Sequence, residues 1–400
     1  PYLEAVLDQN VPIRHIETIE ELTPTLGPEL TCPKLTSDDL CFLQFTSGST
    51  SQPKGVMVTH GNLIANAKAF LGPHGLDRRP DDIGVSWLPL YHDMGLIGFI
   101  LGVLVMDIPV IILPTASFGR NPRLWLETIR KHKATLTFAP NFAYALVIKR
   151  LRNDPLQDWD LSHLRVAGCG AEPINAHTLR AFVDRLKPVG VRDEALLPTY
   201  GMAESTLAIT FADHSAPMKT DIVDAQALQQ GHATPAGEHT EQRLELVCCG
   251  KPFPEHELAI VNEHGRHLEE RTVGEIIVKG PSVAQGYFNQ PEATSEALRN
   301  GWLHTGDLGY LVDGELYICG RSKDLIIING ANHYPQDIEW LVDDIEGVRR
   351  NNVVAFSTMV EGDEKLVLIA EGGSTDASRL REAIASQVTQ STGLSVYKVG

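Results

Sequence analysis

Residues 45–55 read Phe45-Thr46-Ser47-Gly48-Ser49-Thr50-Ser51-Gln52-Pro53-Lys54-Gly55. Apolar runs flank this stretch, because residues 40–45 predict a buried strand and residues 56–58 predict a second, shorter one. The loop between them offers backbone N–H groups, hydroxyls and one lysine to the same ligand, a combination that suits a polyphosphate. A plain polar turn is the competing interpretation, since these residue types are common in turns. Phosphate binding is favoured, because no turn needs so many hydroxyls before Pro-Lys-Gly.

The loop is not the phosphate-binding loop of P-loop NTPases. That motif requires Gly-Lys followed by serine or threonine, and it leads directly into a helix. Here the order is Lys54-Gly55 and a strand-like Val-Met-Val follows, so the predicted helix begins only at residues 59–62, where capping residues stand. A different nucleotide-binding family is therefore indicated.

Composition and charge narrow the class of protein. A chain of 400 residues is too long to fold around a single hydrophobic core, so at least two domains are expected. The hydrophobic share of 43% and the charged share of 21% are typical of globular proteins. A net charge of −17 argues against nucleic acid as a partner, and it means that a site for ATP must be locally basic. The longest apolar run, residues 95–106, is too short to span a bilayer and predicts a buried helix.

Cysteine usage indicates a reducing compartment. The six cysteines show no paired spacing of the kind that metal sites use, and several lie in apolar runs. We interpret them as reduced thiols of a cytoplasmic protein.

The order of predicted elements indicates two domains. From about residue 40 to residue 211, short apolar strands alternate with longer amphipathic segments, which is typical of a layered α/β fold. We expect a large domain over residues 1–320, made of an α/β part (1–217), a polar insertion (218–243) and a small β-barrel part (244–320). Residues 321–400 are expected to begin a mobile α+β domain. The chain is expected to be truncated at both ends.

Four segments, in this order and spacing, resemble the core motifs of adenylate-forming enzymes, a superfamily that includes acyl-CoA synthetases, luciferases and peptide-synthetase adenylation domains. They are Thr46 to Gly55, Tyr200 to Glu204, Gly301 to Gly309 and Gly320 to Asp324. Within the superfamily the chain is most similar to the fatty acyl-AMP ligases. The features that point there are residues 88–98, residues 330–339 and the insertion around residues 221–242.

The resemblance implies a reaction. ATP and Mg²⁺ would activate a fatty acid to an acyl-adenylate with release of pyrophosphate, and the acyl group would then pass to the phosphopantetheine arm of an acyl carrier protein. Ligases of this branch carry an insertion that is thought to hinder the domain rearrangement used by CoA synthetases.

The resemblance also implies roles for individual residues. Glu204 would bind Mg²⁺, Lys54 would act on the phosphates, and His92 would stand at the mouth of the acyl tunnel; these are the three predicted catalytic residues. Lys323 would be the hinge between the domains. The predicted nucleotide-binding residues are Thr46, Ser47, Gly48, Ser49, Thr50 and Lys54 for phosphate, Gly170, Ala171 and Glu172 for the adenine edge, Tyr200, Gly201 and Met202 for the adenine face, and Asp307 and Arg321 for the ribose.

Each role has a structural alternative. Glu204 could be an ordinary surface glutamate, Tyr200 a core tyrosine, and Asp307 a turn cap. A lone histidine such as His92 is often a structural hydrogen-bonding residue.

The chain departs from the family pattern at its end. The family's late lysine, which reaches the carboxylate and the α-phosphate, has no match after Arg350, because Lys365 and Lys398 lack its Gly-Lys context. Two other functions therefore stay open. One is a fatty acyl-CoA synthetase, and the other is a non-catalytic nucleotide-binding module.

Overall fold

The computed structural model describes residues 33–46, 53–328, 330–360, 363–373 and 376–400. The chain divides into two units, Pro1–Thr36 and Ser37–Gly400. Of the first unit only residues 33–36 are described, and these four form no helix or strand. The helices and strands of the described residues lie in the second unit. None of the helices in the described ranges is long and apolar enough to cross a membrane.

The hairpin predicted around the hydroxyl-rich loop is confirmed. Strands β1 (Leu40–Thr46) and β2 (Lys54–Thr59) pair antiparallel, with Thr46 opposite Lys54. Helix α1 (His60–Leu71) follows at once, because Thr59 and Asn62 form a capping box in which each side chain bonds the other residue's backbone N–H. Lys54 is thus the first residue of β2, and it is paired with Thr46 of β1.

A seven-stranded sheet forms the centre of the α/β part, in the order β11-β8-β7-β6-β5-β3-β4. Strands β3 to β7 run parallel to their neighbours within that group, whereas β8 and β11 are antiparallel additions. The predicted α/β class is confirmed. The bounds are β3 Gly84–Ser86, β4 Val110–Ile112, β5 Leu136–Ala139, β6 Val166–Cys169, β7 Leu196–Gly201, β8 Ala208–Phe211 and β11 Lys251–Pro252.

Helices connect these strands and bury one face against the sheet. In α5 (Arg123–His132) the residues Trp125, Leu126 and Ile129 are fully buried, at the helical spacing that the sequence shows. The other helices of this part are α2 Asp93–Leu96, α3 Gly102–Met106, α4 Thr115–Arg120, α6 Asn141–Leu151 and α7 Ala176–Leu186.

The predicted apolar helix of residues 95–106 is present but interrupted. Helix α2 begins at Asp93, the segment Ile97–Leu101 is a π-helix, and α3 completes the run. A Cβ atom on Gly102 would lie 2.6 Å from Cζ of Phe70, so the helix can approach α1 this closely only because position 102 is glycine. Asp107 ends the run in the left-handed conformation, with φ 53°.

The polar stretch of residues 218–243 is more ordered than its composition suggests. Strand β9 (Thr220–Asp224) pairs with β10 (Arg243–Val247), and helix α8 (Ala225–Gln229) starts with the Asp224 side chain as its cap. Its few apolar side chains, including Val223, Leu228 and Ala233, are buried together with Tyr310 and Tyr317. The stretch therefore packs on its neighbours.

The following part consists of antiparallel strands. A five-stranded sheet has the path β12-β13-β15-β14, with β16 paired to β15. The backbone N–H of Cys249 donates to the carbonyl of Leu316 at 2.8 Å, which joins this sheet to the β9–β10 pair. The bounds are β12 Glu257–Val261, β13 Gly274–Lys279, α9 Pro291–Ala297, β14 Leu298–Arg299, β15 Trp302–Val312 and β16 Glu315–Arg321.

The last part has its own apolar core. Two helices cover one face of a three-stranded sheet of order β19-β20-β21, and residues such as Ile338, Leu366 and Ile384 lie between them. A short hairpin of β17 and β18 precedes them. The bounds are β17 Ile326–Ile328, β18 Ala331–His333, α10 Pro335–Asp343, β19 Val348–Val360, β20 Asp363–Gly372, α11 Ala377–Thr392 and β21 Val396–Val399.

A buried ion pair connects the chain just before strands β3 and β6, and Thr135, just before β5, joins it. Arg165 Nη2 lies 2.6 Å from Asp82 Oδ2, and both side chains are almost fully buried. Thr135 donates to Asp82 Oδ1 at 2.6 Å, and Arg165 also donates to the Leu76 carbonyl. Burial raises the pKa of Asp82, but the hydrogen bonds from Arg165, Thr135 and the Arg79 N–H outweigh it, so the folded-state pKa is lowered.

We expect Arg165→Met to destabilise the fold by about 3–5 kcal/mol at neutral pH, because it leaves the Asp82 carboxylate buried without its cation. The lowered folded pKa means that this stabilisation is present above the unfolded pKa of about 3.9 and is lost as the pH falls through the folded pKa. Urea unfolding of wild type and variant at several pH values measures this. Lys187→Met, which breaks an exposed pair with Asp193, is the matched control. Equal midpoints for wild type and Arg165→Met at pH 7 would refute it.

Candidate active site

The predicted site residues of the α/β part lie at the C-terminal ends of the parallel strands of the central sheet. Residues 88–92, residues 170–172 and Glu204 follow β3, β6 and β7, so all three lie beyond the carboxyl ends of parallel strands. Open α/β sheets bind ligands at this edge. The predicted residues Ser47, Gly48, Ser49 and Thr50 lie outside the described residues. Of the loop, the structure places Thr46 and Lys54, which face each other across the hairpin.

Lys54 and Glu204 meet at a residue that sequence reasoning missed. Nζ of Lys54 lies 4.7 Å from the ring centroid of Tyr287, in cation–π geometry. The Tyr287 hydroxyl donates to Oε1 of Glu204 at 2.7 Å. The signal available in the sequence was the Gly286-Tyr287 pair after a β-like run, but nothing in that pattern points to Lys54 or Glu204.

Backbone contacts hold these three residues in place. The N–H of Met57 donates to the Gly286 carbonyl at 2.9 Å, and the N–H of Phe288 donates to the Gly55 carbonyl at 2.8 Å. The segment of Tyr287 is therefore bridged to β2, which begins at Lys54. Burial, with the Glu204 charge added, raises the pKa of Tyr287 above its ordinary value, so the hydroxyl keeps its proton at neutral pH.

Glu204 stands in a single turn of 3₁₀-helix, Ala203–Ser205, directly after β7. Its backbone carbonyl accepts from the Ala284 N–H at 2.9 Å, and its side chain is partly exposed. In the described residues, no group of three or more histidine, cysteine, aspartate or glutamate side chains is arranged so that it could hold a metal ion. One accessible carboxylate suits Mg²⁺ that arrives with substrate phosphates, because this ion keeps most of its ligands as water and phosphate oxygens.

A second cluster gathers around Asp307. The Tyr200 hydroxyl donates to Oδ2 at 2.7 Å, and Nε of Arg321 donates to Oδ1 at 3.0 Å. Strands β15 and β16 set this arrangement, since Asp307 and Arg321 are paired residues in their register. Burial raises the pKa of Asp307, and the opposing charges of Arg321 and Lys323 lower it, with burial prevailing. The structure thus brings together Tyr200, Asp307 and Arg321, and it places the predicted hinge lysine near them.

The predicted adenine-edge loop is tightly built. It follows β6, and Ala171 has φ 70°, a left-handed conformation that is uncommon for alanine. A Cβ atom on Gly170 would lie 2.6 Å from Oγ1 of Thr199, so only glycine fits there. Oε1 of Glu172 accepts from the Phe142 N–H at 2.7 Å, which joins this loop to the first turn of helix α6. Gly201 follows Tyr200 as the last residue of β7, and Met202 connects this strand to the turn of Glu204.

His92 caps helix α2, and its side chain is half exposed. Nδ1 lies 2.6 Å from Oδ1 of Asp93, and the hydrogen bond to this carboxylate raises the pKa of His92 although burial opposes it. Two residues later, Met94 lines an apolar cavity of about 40 Å³ between α1, the π-helix and the sheet. Phe70, Gly98 and Phe99 are among its other lining residues.

Together these observations define an α/β protein whose sheet edge gathers a lysine, carboxylates and tyrosines beside an apolar cavity. In a comparison with known protein families, residues 3–288 match the family of AMP-binding enzymes. The chain belongs to the AMP-binding enzyme family.

Individual relatives are more specific. A Caulobacter vibrioides protein, provisionally named an acyl-CoA synthetase, is 43% identical over 360 residues, which are 88% of this chain and 63% of that protein. A medium-chain-fatty-acid–[acyl-carrier-protein] ligase of Moorena producens is 36% identical over 95% of this chain and 67% of its own length. A structure from a study of fatty acyl-adenylate ligases of E. coli and L. pneumophila superposes with a TM-score of 0.88 at 39% identity, covering 93% of this chain and 67% of that one. The chain therefore spans about two thirds of these proteins.

Proposed function

We propose that this protein activates a fatty acid with Mg·ATP and transfers the acyl group to the phosphopantetheine arm of an acyl carrier protein. The observation that carries the proposal is the convergence of Lys54 and Glu204 on Tyr287, at the sheet edge where the Asp307 cluster also lies. Similarity to the Moorena ligase supports the carrier protein as acceptor. The buried cysteines, free in the described part of the chain, agree with a cytoplasmic setting.

In the proposed reaction a carboxylate oxygen of the fatty acid attacks the α-phosphorus of ATP. The new O–P bond forms as the bond to the β-phosphate oxygen breaks, and pyrophosphate leaves with that electron pair. Negative charge grows between two anions that approach each other, so cations and hydrogen-bond donors aimed at the phosphates lower the barrier. Lys54, with Thr46, Ser47, Gly48, Ser49 and Thr50, is assigned to the β- and γ-phosphates, and Glu204 to Mg²⁺.

Asp307 has the capacity to hold the ribose. A carboxylate has about four lone-pair sites, and Tyr200 and Arg321 each use one of them, on different oxygens. One site on each oxygen is then left for a ribose hydroxyl. Gly170, Ala171 and Glu172 are assigned to the adenine edge, and Tyr200, Gly201 and Met202 to its face.

We assign the cavity beyond Met94 to the start of the acyl chain, with His92 at its entrance. The cavity of about 40 Å³ has room for about three water-sized groups, so a fatty chain requires the neighbouring side chains to move apart. We place such movement at the interrupted helix on one side of the cavity, since π-helical segments inside helices are rare and occur frequently at functional sites.

A mass-spectrometric assay with fatty acid, ATP, Mg²⁺ and either CoA or a carrier protein tests the proposal. We expect acyl-AMP and acylated carrier protein without acyl-CoA. Acyl-CoA would support the synthetase function in the name of the Caulobacter relative. No product of any kind would support a nucleotide-binding module without catalysis.

We expect Lys54→Ala to weaken ATP binding about tenfold to a hundredfold, because the lysine contributes a charge-assisted contact to phosphate. Isothermal titration calorimetry measures the change in Kd. Lys68→Ala removes an exposed lysine from the last turn of the neighbouring helix α1 and is the control. Unchanged ATP affinity in Lys54→Ala would return residues 45–55 to the interpretation as a plain turn.

A further inference from the structure

Tyr287 contacts two groups of opposite charge, those of Lys54 and Glu204, and no salt bridge joins these two residues in the described part of the chain. The ammonium of Lys54 rests on the ring face, and the carboxylate of Glu204 accepts from the hydroxyl at the far end of the same ring. The aromatic ring is therefore a spacer. Without it, the two charges could approach and neutralise each other.

The spacer is held rigidly. Tyr287 is 8% exposed, and its backbone N–H donates to Oγ1 of Thr294 at 2.9 Å. Gly286 has φ 120°, a conformation that favours glycine and turns the chain so that the tyrosine enters the site. The bridge from Val56 to Tyr287 ties the ring to the strand of Lys54.

The Tyr287 hydroxyl also orients the Glu204 carboxylate. Because it donates to Oε1 of Glu204, it occupies one oxygen and leaves Oε2 for another partner. A carboxylate oriented in this way suits a single bond to Mg²⁺, which demands regular geometry from its ligands.

We propose that Tyr287 is a positioning residue that keeps Lys54 and Glu204 apart and orients both toward Mg·ATP. The proposal rests on the proposed function, since it assigns the two charges to one substrate. It predicts that the ring and the hydroxyl act separately: the ring supports Lys54, and the hydroxyl supports Glu204.

Two substitutions separate these actions. Tyr287→Phe keeps the ring and removes the hydrogen bond, so the affinity for ATP in EDTA should stay within about twofold of wild type. The gain in affinity on adding Mg²⁺ should fall about tenfold, the size expected for one hydrogen bond to a charged group. Tyr287→Leu also removes the ring, and ATP binding in EDTA should then weaken about threefold to tenfold.

Calorimetric titration of the full-length protein with ATP, in EDTA and in Mg²⁺, measures both quantities, and thermal unfolding shows whether each variant is folded. Tyr310→Phe is the matched control, because Tyr310 is a buried tyrosine that donates to a carboxylate, Asp221, at 2.9 Å. In a Lys54→Ala background, Tyr287→Leu should have a smaller effect on ATP binding in EDTA, since the ion pair between Lys54 and Glu204 that it permits can no longer form.

The inference is overturned if folded Tyr287→Phe gains as much affinity from Mg²⁺ as wild type, or if it loses metal-free ATP binding as Tyr287→Leu does. These outcomes are read from binding alone. Failure of the proposed function is recognised separately, by a wild-type protein that binds Mg·ATP and releases no pyrophosphate with any fatty acid.

Discussion

We expect Glu204→Gln to lower the rate of acyl-AMP formation by about a hundredfold and to leave the melting temperature unchanged. The substitution keeps the size of the side chain and an oxygen that can still accept from Tyr287, so the contact at 2.7 Å survives. Only the negative charge is lost, and that charge is what a hard cation such as Mg²⁺ requires. The defect should therefore appear in catalysis with Mg·ATP and not in folding.

Pyrophosphate release and mass-spectrometric detection of acyl-AMP measure this rate, beside thermal unfolding of the same samples. Glu127→Gln is the control, because Glu127 forms only a partly exposed pair with Arg123 on helix α5. Glu204 loses its metal role if the variant is as active and as stable as wild type.

The sequence predicted those elements whose signals are local. The hairpin of β1 and β2 follows from two apolar runs around a polar loop, and the start of α1 follows from Thr59 and Asn62. The motif loops were placed correctly after strands, because strand ends and turn residues are adjacent in the chain. For such features, the pattern and the structure depend on the same few neighbouring residues.

Contacts between distant segments could not be predicted in this way. Tyr287 lies 83 residues from Glu204, and Asp307 lies 107 residues from Tyr200. The resemblance to a family suggested that some of these residues share a site, but it assigned no role to Tyr287. Which side chains meet depends on how the sheets pack, and hydrophobic periodicity carries no information about that.

The interrupted helix shows a second limit. Residues 95–106 have the apolar composition of a buried helix, and a helix is present. The change to π-helix at Ile97–Leu101 lies directly before Gly102, where the chain packs closely against Phe70 of α1. A tertiary contact of this kind changes the hydrogen-bonding pattern without leaving a mark in local composition.

The insertion contacts the last part of the chain at few points. Nε2 of Gln242 donates to the Ser391 carbonyl at 2.8 Å, and Leu228 shares a buried cluster with Tyr334. Between these contacts lies a cavity of about 740 Å³, lined by α8, β10, α10 and α11. An interface with such a gap is loosely packed. Each of its few contacts therefore contributes a large part of the interaction between the insertion and the last part of the chain.

Deleting residues 221–242 should therefore release the last part of the chain and allow acyl-CoA to form where the wild type forms none. The resemblance to fatty acyl-AMP ligases implies that adenylate formation and acyl transfer use different placements of the domain that begins near Lys323, so a restraint on that movement would restrict the second step. Acyl-AMP synthesis should stay largely intact, because Glu204, Lys54 and Asp307 lie outside the deleted segment. The expected effect is the appearance of a new product, which makes it easy to detect.

The structure determines how the deletion variant must be designed. Thr220 pairs with Val247, four residues beyond Arg243, so a Gly/Ser bridge must span roughly 14 Å, and about six residues suffice. The deletion also removes Asp221, which accepts from the buried Tyr310 hydroxyl, so Tyr310→Phe is combined with it to avoid an unpaired donor. Gln242→Ala is a second variant that keeps β9 and α8 and removes only the bond to Ser391.

Mass spectrometry at saturating CoA measures acyl-AMP and acyl-CoA for wild type, the deletion variant, Gln242→Ala and Tyr310→Phe alone. The deletion variant should form acyl-CoA, Gln242→Ala a smaller amount, and Tyr310→Phe none, since that substitution leaves the insertion in place. Melting temperatures show which variants are folded. A folded deletion variant that makes acyl-AMP at the wild-type rate and no acyl-CoA would show that the insertion does not restrain the domain, and that CoA is rejected by the acceptor site itself.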